Sequence, residues 1–409
     1  MAKYPQVPRL ICTLFSIILG SSQVSGITPP APAISQLTES KTCQTNHRQT
    51  NFLVIAGGGS PRNNEIALEK NVLYFQRTLR ALGHNQEQGS VFFANGNDGQ
   101  ATVRYIDPQR QQRFKIPNIP NLRGAATWEN FQGWISQNKS NQANHPLFFY
   151  FTGHGIPDAM ILWEDYHLSV EQFSNQLAQL PSQTPIVTMM AQCFSGSFAK
   201  FIYEGGNPNR PLALQTRCGF FATISTRPSV GCTPEVNEAD YKDYSSSFFA
   251  GLSGRSRTGE IVASADYNLD GVISYAEAHA FAKVDEKTMD RPVSTSEVWL
   301  QEQASRSDIR TFLAQPMAQL MSQSRQEQQY VISNVAKLFN FDLTRSYVTN
   351  IADLPASQKS TEVQEAYLAR LAMELVNIGM EQKIRASGDG NKINIIERLL
   401  KCEASHWQN

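Results

Sequence analysis

The sequence lacks any excess of charge: 36 Lys and Arg stand against 36 Asp and Glu, with no long run of one sign. A chain without a basic stripe gives no electrostatic reason to expect nucleic acid or an acidic membrane surface as partner. Long apolar runs are missing as well. Spanning a bilayer takes about 20 apolar residues, and the stretch Leu10–Leu19 (LICTLFSIIL) falls well short of that, so stable membrane insertion is not expected. Neither a low-complexity tract nor an internal repeat is present. Gly57-Gly58-Gly59 lacks the Lys-Ser/Thr of a phosphate-binding P-loop and reads as a turn allowing close backbone approach. Cysteine is scarce, at 6 in 409 residues.

What is present begins with a targeting pattern. Lys3 and Arg9 precede the apolar stretch, and small residues follow to Gly26. A positive start, an apolar run of about ten and a small-residue exit describe a secretory signal peptide over 1–26, hence a secreted, periplasmic or lumenal protein. Cys12 leaves with that segment, so Cys43, Cys193, Cys218, Cys232 and Cys402 remain, an odd number. In an oxidising compartment that suggests bridges plus one free thiol. Cys218 with Cys232 would close a short loop worth about 3 kcal/mol, and Cys43 with Cys402 would join the chain ends, leaving Cys193 free.

Residues 27–50 are Pro-, Thr- and Ser-rich, a flexible lead-in. From 51 to 300, apolar strands alternate with helical segments. FLVIA (52–56), VFFA (91–94), PLFFYFT (146–152), PIVTMMA (185–191) and GFFAT (219–223) read as strands, whereas 64–82, WENFQGWIS (128–136) and a segment from Ser169 read as helices. Residues 95–126 read as a long surface loop. Uninterrupted apolar strands alternating with helices predict an α/β fold, a mostly parallel sheet covered by helices on both faces. Beyond 305 the periodicity is helical throughout, a C-terminal helical region over 305–409.

Two of the strands end in reactive side chains. PLFFYFT runs into Gly153-His154-Gly155, and PIVTMMA into Gln192-Cys193. Both strands are apolar throughout, so His154 and Cys193 emerge at carboxyl ends, where open α/β sheets place their ligands. A thiol beside an imidazole can become a thiolate, the nucleophilic form, and the imidazole can return a proton to a departing amine. The backbone N–H groups of Gly155 and Cys193 can hold a developing oxyanion. The plainer reading is a buried Cys behaving as a small hydrophobe and a structural His; their matched positions on consecutive strands favour chemistry. Zinc is disfavoured, because neither residue has a Cys or His nearby at ligand spacing.

PLFFYFTGHG and PIVTMMAQCFSGSFA resemble the active-site segments of caspase-fold cysteine peptidases, and within them the legumain family. There an apolar strand ends in His-Gly and the next in Cys followed by a small-residue turn, here Ser195 to Ser197. The likeness extends from FLVIAGGG through VFFANGNDG to about Asp290. It implies a caspase-like fold, an endopeptidase acting on peptide or protein through a Cys-His dyad and an acyl-enzyme, and no organic cofactor. The same dyad would also serve a transpeptidase or ligase, and an inactive caspase-like binding module is a further alternative. Legumain-like enzymes carry an Asn after the first strand that orients the His; Asn63 or Asn64 stands nearest that place. The family's acidic residue two positions before the Cys is Ala191 here, which argues against a preference for Arg or Lys in the substrate. Ser225, Arg227 and Ser229 are pocket residues by position, or ordinary loop residues.

Residues 266–277 (DYNLDGVISYAE) place oxygen donors at the spacing of an EF-hand loop. Asp266, Asn268, Asp270, Ser274 and Glu277, with the Val272 carbonyl, would surround Ca²⁺, and Gly271 supplies the sharp turn. Only the exiting side is clearly helical, so a structural ion near the site is expected rather than a sensor. His279, within that helix, reads as a surface residue.

Overall fold

Apolar runs become strands, and a computed structural model, which describes residues 49–85, 89–140 and 145–407, shows how they stack. In chain order the first half holds β1 (Asn51–Gly57), α1 (Ile66–Ala81) and β2 (Gly89–Phe93). Then come β3 (Val103–Ile106), β4 (Gln112–Lys115), β5 (Leu122–Gly124), α2 (Trp128–Asn138) and β6 (Leu147–Ile156). β7 (Ala159–Leu162), β8 (Tyr166–Ser169), α3 (Val170–Leu177), β9 (Ile186–Met190) and β10 (Arg217–Phe221) follow. After α4 (Tyr244–Ser253), α5 (Tyr275–Asp285) and β11 (Val293–Ser294) the chain is helical: α6 (Thr295–Gln303), α7 (Arg306–Leu313), α8 (Met317–Met321), α9 (Gln326–Leu338), α10 (Tyr347–Asp353), α11 (Glu362–Ala386) and α12 (Gly390–Glu403). The predicted signal peptide and Cys43 lie outside the described residues. Among the described residues no helix is long and apolar enough to cross a membrane.

The sheet order is β11-β10-β9-β6-β1-β2-β5, parallel except where β11 joins β10. This is the expected α/β architecture. Successive side chains point to opposite faces of a strand, and the core divides accordingly. Leu53, Ile55, Phe149, Phe151, Ile186 and Met190 face α2, α3 and the C-terminal helices. Phe52, Val54, Phe148, Tyr150, Val187 and Met189 face α1, α4 and α5. A strand buried on both sides has no polar face to alternate with, which is why these segments read as unbroken apolar runs.

The segment 95–126 is not the plain loop expected. It contains the β3–β4 hairpin and β5, which adds to the sheet beside β2. β4 is largely exposed and β5 spans three residues, so neither leaves an apolar period to read. The hairpin of β7 and β8, antiparallel to the end of β6, was likewise not anticipated.

The C-terminal helices share the core of the sheet and are tied to it by polar contacts. Arg370 of α11 is 1% exposed, and its guanidinium donates to the carbonyls of Lys283, Glu286, Thr288 and Asp290. Lys283 of α5 sits between Glu297 and Glu374. His279 is buried rather than at the surface, bonded to the Tyr244 hydroxyl at 2.6 Å and to Glu297 at 3.2 Å. Its helix has partners on both sides, so the apolar periodicity alone did not mark its inner face.

The disulfide differs from expectation. Cys218, the second residue of β10, is bonded to Cys402 in α12, with Cα atoms 5.9 Å apart; the Cys218–Cys232 and Cys43–Cys402 pairings are not formed. Nearness in sequence misled here: Cys218 faces the core beneath α12, whereas Cys232 lies past the carboxyl end of the strand and is a free thiol, as is Cys193.

Candidate active site

The carboxyl ends of β1, β6 and β9, three adjacent strands, bring the candidate residues together because glycines let their ends close up. A Cβ on Gly155 would lie 2.5 Å from the Cys193 carbonyl oxygen, and one on Gly153 2.6 Å from the Gly57 carbonyl oxygen. His154 and Cys193 each stand three residues past the paired Phe151 and Met190 of neighbouring parallel strands. After Cys193 the chain turns sharply. Phe194 takes a left-handed conformation (φ 57°), and the 3₁₀ turn Ser195–Ile202 begins. The turn needs small residues because it packs on the end of β10. The Gly196 N–H donates to the Thr223 carbonyl at 2.8 Å, where a Cβ would meet backbone atoms at 2.8 Å.

His154 is oriented from the turn after β1. Its Nε2 lies 2.9 Å from the Asn63 carbonyl and 3.0 Å from Glu65 Oε2. Asn63 thus acts through its backbone. Asn64 does not orient the ring, for its side chain is buried and accepts from Gly58 N–H and donates to the Thr102 carbonyl. Glu65, one residue further on, was missed. It is the N-cap residue of α1, 4% exposed, and is also bonded to Arg104. The available signal was an acid at a helix start immediately after a glycine turn.

Burial of Glu65 works against its charge, but the His154 hydrogen bond and charge outweigh it, and its pKa is lowered. Burial likewise disfavours a charged imidazole at His154. Hydrogen bonds with Cys232 and Glu65 prevail and push its pKa up to about 11. The part of this that persists at neutral pH is the Glu65 carboxylate, since burial raises the pKa of the Cys232 thiol.

The loop after β10 lies across both candidates. The Arg227 carbonyl accepts from Phe194 N–H at 2.9 Å. Ser229 N–H donates to Cys193 Sγ at 3.3 Å, and the thiol faces the Ser229 carbonyl at 3.5 Å. Val230 N–H is held by the Asp290 carboxylate. Cys232 reaches solvent as a residue, yet its sulfur turns inward, toward the Gly153 carbonyl at 3.8 Å and His154. Ser225 is exposed and Ala191 half-buried at the end of β9. Arg227 and Arg291 lie near one another at this edge, both half-buried, each with a buried Nε that has no hydrogen-bond partner among the described residues. Burial and then the neighbouring Arg227 lower the Arg291 pKa.

Residues 266–277 form a tight loop entering α5 from an irregular segment, with a helix on the exit side alone. Asp266 accepts from Asp270 and Gly271 N–H, Asp270 from Val272 N–H, and Glu277 from Tyr267, Asn268 and Ser274 N–H. Gly271 has φ +85°, the left-handed turn expected of it.

No protein-family model matches the sequence, and neither does any curated protein. Among solved structures the chain is similar to an inactive zymogen C11 protease from Parabacteroides distasonis, at 11% identity and a TM-score of 0.30, over 80% of this chain and 82% of that one. A likeness of that size decides neither fold nor activity.

Proposed function

We propose that the protein is a secreted caspase-like cysteine endopeptidase, with Cys193 as nucleophile and His154 as its acid–base partner. One observation carries this reading. Adjacent parallel strands deliver the two residues to the same edge of the sheet, with Gly155 packed on the Cys193 backbone and His154 fixed by a buried carboxylate. The nucleophilic form of a cysteine is its thiolate, and a cationic imidazole is a proton donor. Sγ attacks the peptide carbonyl, the C–N bond breaks, and His154 gives its proton to the departing amine. Water then attacks the thioester, losing its proton to His154, and the thiolate leaves. The Gly155 N–H assists by facing the oxyanion. In the conformation described, Ser229 holds the thiol and Cys232 the imidazole, so both contacts open when substrate binds.

The same site favours an acidic substrate side chain. Arg227 and Arg291 bring two guanidinium groups to this edge, and a carboxylate would relieve their repulsion. The legumain-like assignment remains the finer form of this proposal. The Asp266–Glu277 loop, an all-oxygen donor set with a glycine at the sharp turn, fits Ca²⁺ as a structural ion.

Cleavage of a mixed peptide library by the purified protein tests the proposal. Cutting after acidic residues that is lost in Cys193→Ala supports it, and cutting after Lys or Arg overturns the pocket assignment. A second reading has the His154–Cys232 contact in its favour: Cys232, clustered with His154 and Glu65, as the nucleophile. Activity surviving in Cys193→Ala but lost in Cys232→Ala would select it.

A further inference from the structure

Sequence spacing argued against a metal at this edge of the sheet, because no second sulfur or imidazole stands near His154 or Cys193 in the chain. Folding supplies what spacing does not. Glu65 comes from the turn into α1, His154 from the end of β6 and Cys232 from the loop beyond β10. One ligand atom from each lies within 4.8 Å of the others. We propose that these three residues bind a borderline-soft divalent cation, Zn²⁺ above all, and that the bound ion switches the peptidase off.

The donor set is one thiolate, one imidazole and one carboxylate. Ca²⁺ and Mg²⁺ take oxygen ligands, whereas a mixed sulfur, nitrogen and oxygen set suits zinc. Tetrahedral bonds of about 2.0 to 2.3 Å place donor atoms about 3.3 to 3.7 Å apart. The carboxylate and ring nitrogen are already 3.0 Å apart, so assembly asks only a shift of about 1 Å from the thiol, within the range of a side-chain adjustment.

Supporting contacts hold the donors before any ion arrives, as outer-shell partners do at metal sites. Arg104 bonds the Glu65 carboxylate. Until an ion takes the His154 ring nitrogen, the Asn63 carbonyl also accepts from it. The loop carrying Cys232 is pinned on both sides, by Asp290 at Val230 and by the Ala67 N–H at the Thr233 carbonyl. Three protein ligands leave a fourth position for water.

On binding, the cation replaces the thiol proton of Cys232 and a ring proton of His154, both released to solvent. A ring that holds the metal through one nitrogen keeps one proton rather than two, so it is no longer the imidazolium that gives a proton to the departing amine. This regulatory step rests on the Cys193–His154 reading; the metal site itself does not.

The test separates the two. Metal-free full-length Cys193→Ala protein, which needs no activity, is titrated with Co²⁺ and then Zn²⁺. One equivalent of Co²⁺ should produce thiolate-to-cobalt charge-transfer absorption in the near ultraviolet, and Zn²⁺ should abolish it. Adding Cys232→Ser or Glu65→Gln should weaken binding at least tenfold, with far-UV circular dichroism confirming that each variant is folded. Absence of one-equivalent binding, or equal binding in folded Cys232→Ser, overturns the site whatever the peptidase does. In protein carrying Cys193, stoichiometric Zn²⁺ should stop peptide cleavage and chelator restore it, with Cys232→Ser needing at least tenfold more Zn²⁺. Equal inhibition of Cys232→Ser places the inhibitory zinc elsewhere and overturns the switch, and protein that binds zinc but cleaves nothing overturns the peptidase reading alone.

Discussion

Glu65→Gln keeps the shape of the group facing His154 and removes its charge. The carboxylate oxygen is 3.0 Å from Nε2, which puts the two charge centres about 4 Å apart. At an effective dielectric of about 20, a unit pair at that distance is worth about 4 kcal/mol, and one pH unit of pKa corresponds to about 1.4 kcal/mol. The amide oxygen of Gln still accepts a hydrogen bond, so the expected fall in the His154 pKa is about 2 to 3 pH units. The direction follows from which form the carboxylate favours: it stabilises the imidazolium, so its removal lowers the pKa. Imidazole resonances of selectively labelled Cys193→Ala protein in chelator, followed with and without Glu65→Gln, measure this. A His154 that titrates near 6.5 in the presence of Glu65, or at the same pH after the substitution, would refute the reasoning. Stability should follow the same linkage. His154 binds its proton more tightly folded than unfolded, so its contribution is complete below its ordinary pKa of 6.5 and is lost as pH rises toward about 11. Glu65 has a depressed pKa, so its contribution is present above its ordinary 4.5 and lost as pH falls through the lowered value.

Cys402→Ser opens a loop of 184 residues. On the entropic model this costs about 5 kcal/mol, read as a lower guanidinium midpoint than that of non-reduced wild type; equal midpoints, or no Cys218–Cys402 peptide in non-reducing mapping, would sink the assignment. Gly155→Ala places a methyl group 2.5 Å from the Cys193 carbonyl oxygen. Forcing the strand ends apart should cost about 1 to 3 kcal/mol of stability and about a hundredfold in kcat, and wild-type kinetics would show that the two strand ends need not touch. Saturating Ca²⁺ should raise the unfolding temperature, with about 2.7 kcal/mol expected at a hundredfold excess over Kd. Asp266→Ala should abolish that rise, and a calcium effect retained in the variant would place the ion elsewhere.

His154 and Cys193 were legible because each follows a strand segment, 147–152 or 186–190, that is buried on both faces and almost wholly apolar. Helix starts were legible where a side chain caps them, as Thr127 does for α2 and Ser169 for α3. The residue orienting His154 was sought in the right turn, where Asn63 contributes through its carbonyl and Glu65 through its side chain. Asn64 folds its side chain back on Gly58, and only three-dimensional placement distinguishes it from Glu65 next door. β3, β4 and β5 escaped notice because exposed or three-residue strands bury too little to impose an apolar period.

Local sequence determined the α/β alternation, the two reactive strand ends and the oxygen-bearing loop, since hydrophobic period, capping and turn chemistry act over a few residues. Tertiary structure alone decided which cysteines meet. Cys218 joins Cys402 across 184 positions, and Cys232 returns to His154, because which chain segments meet is set by how the helices and loops pack on the sheet. Spacing along the chain carries no record of that packing, and the Glu65–His154–Cys232 cluster exists only once the turn, the strand and the loop have been folded against one another.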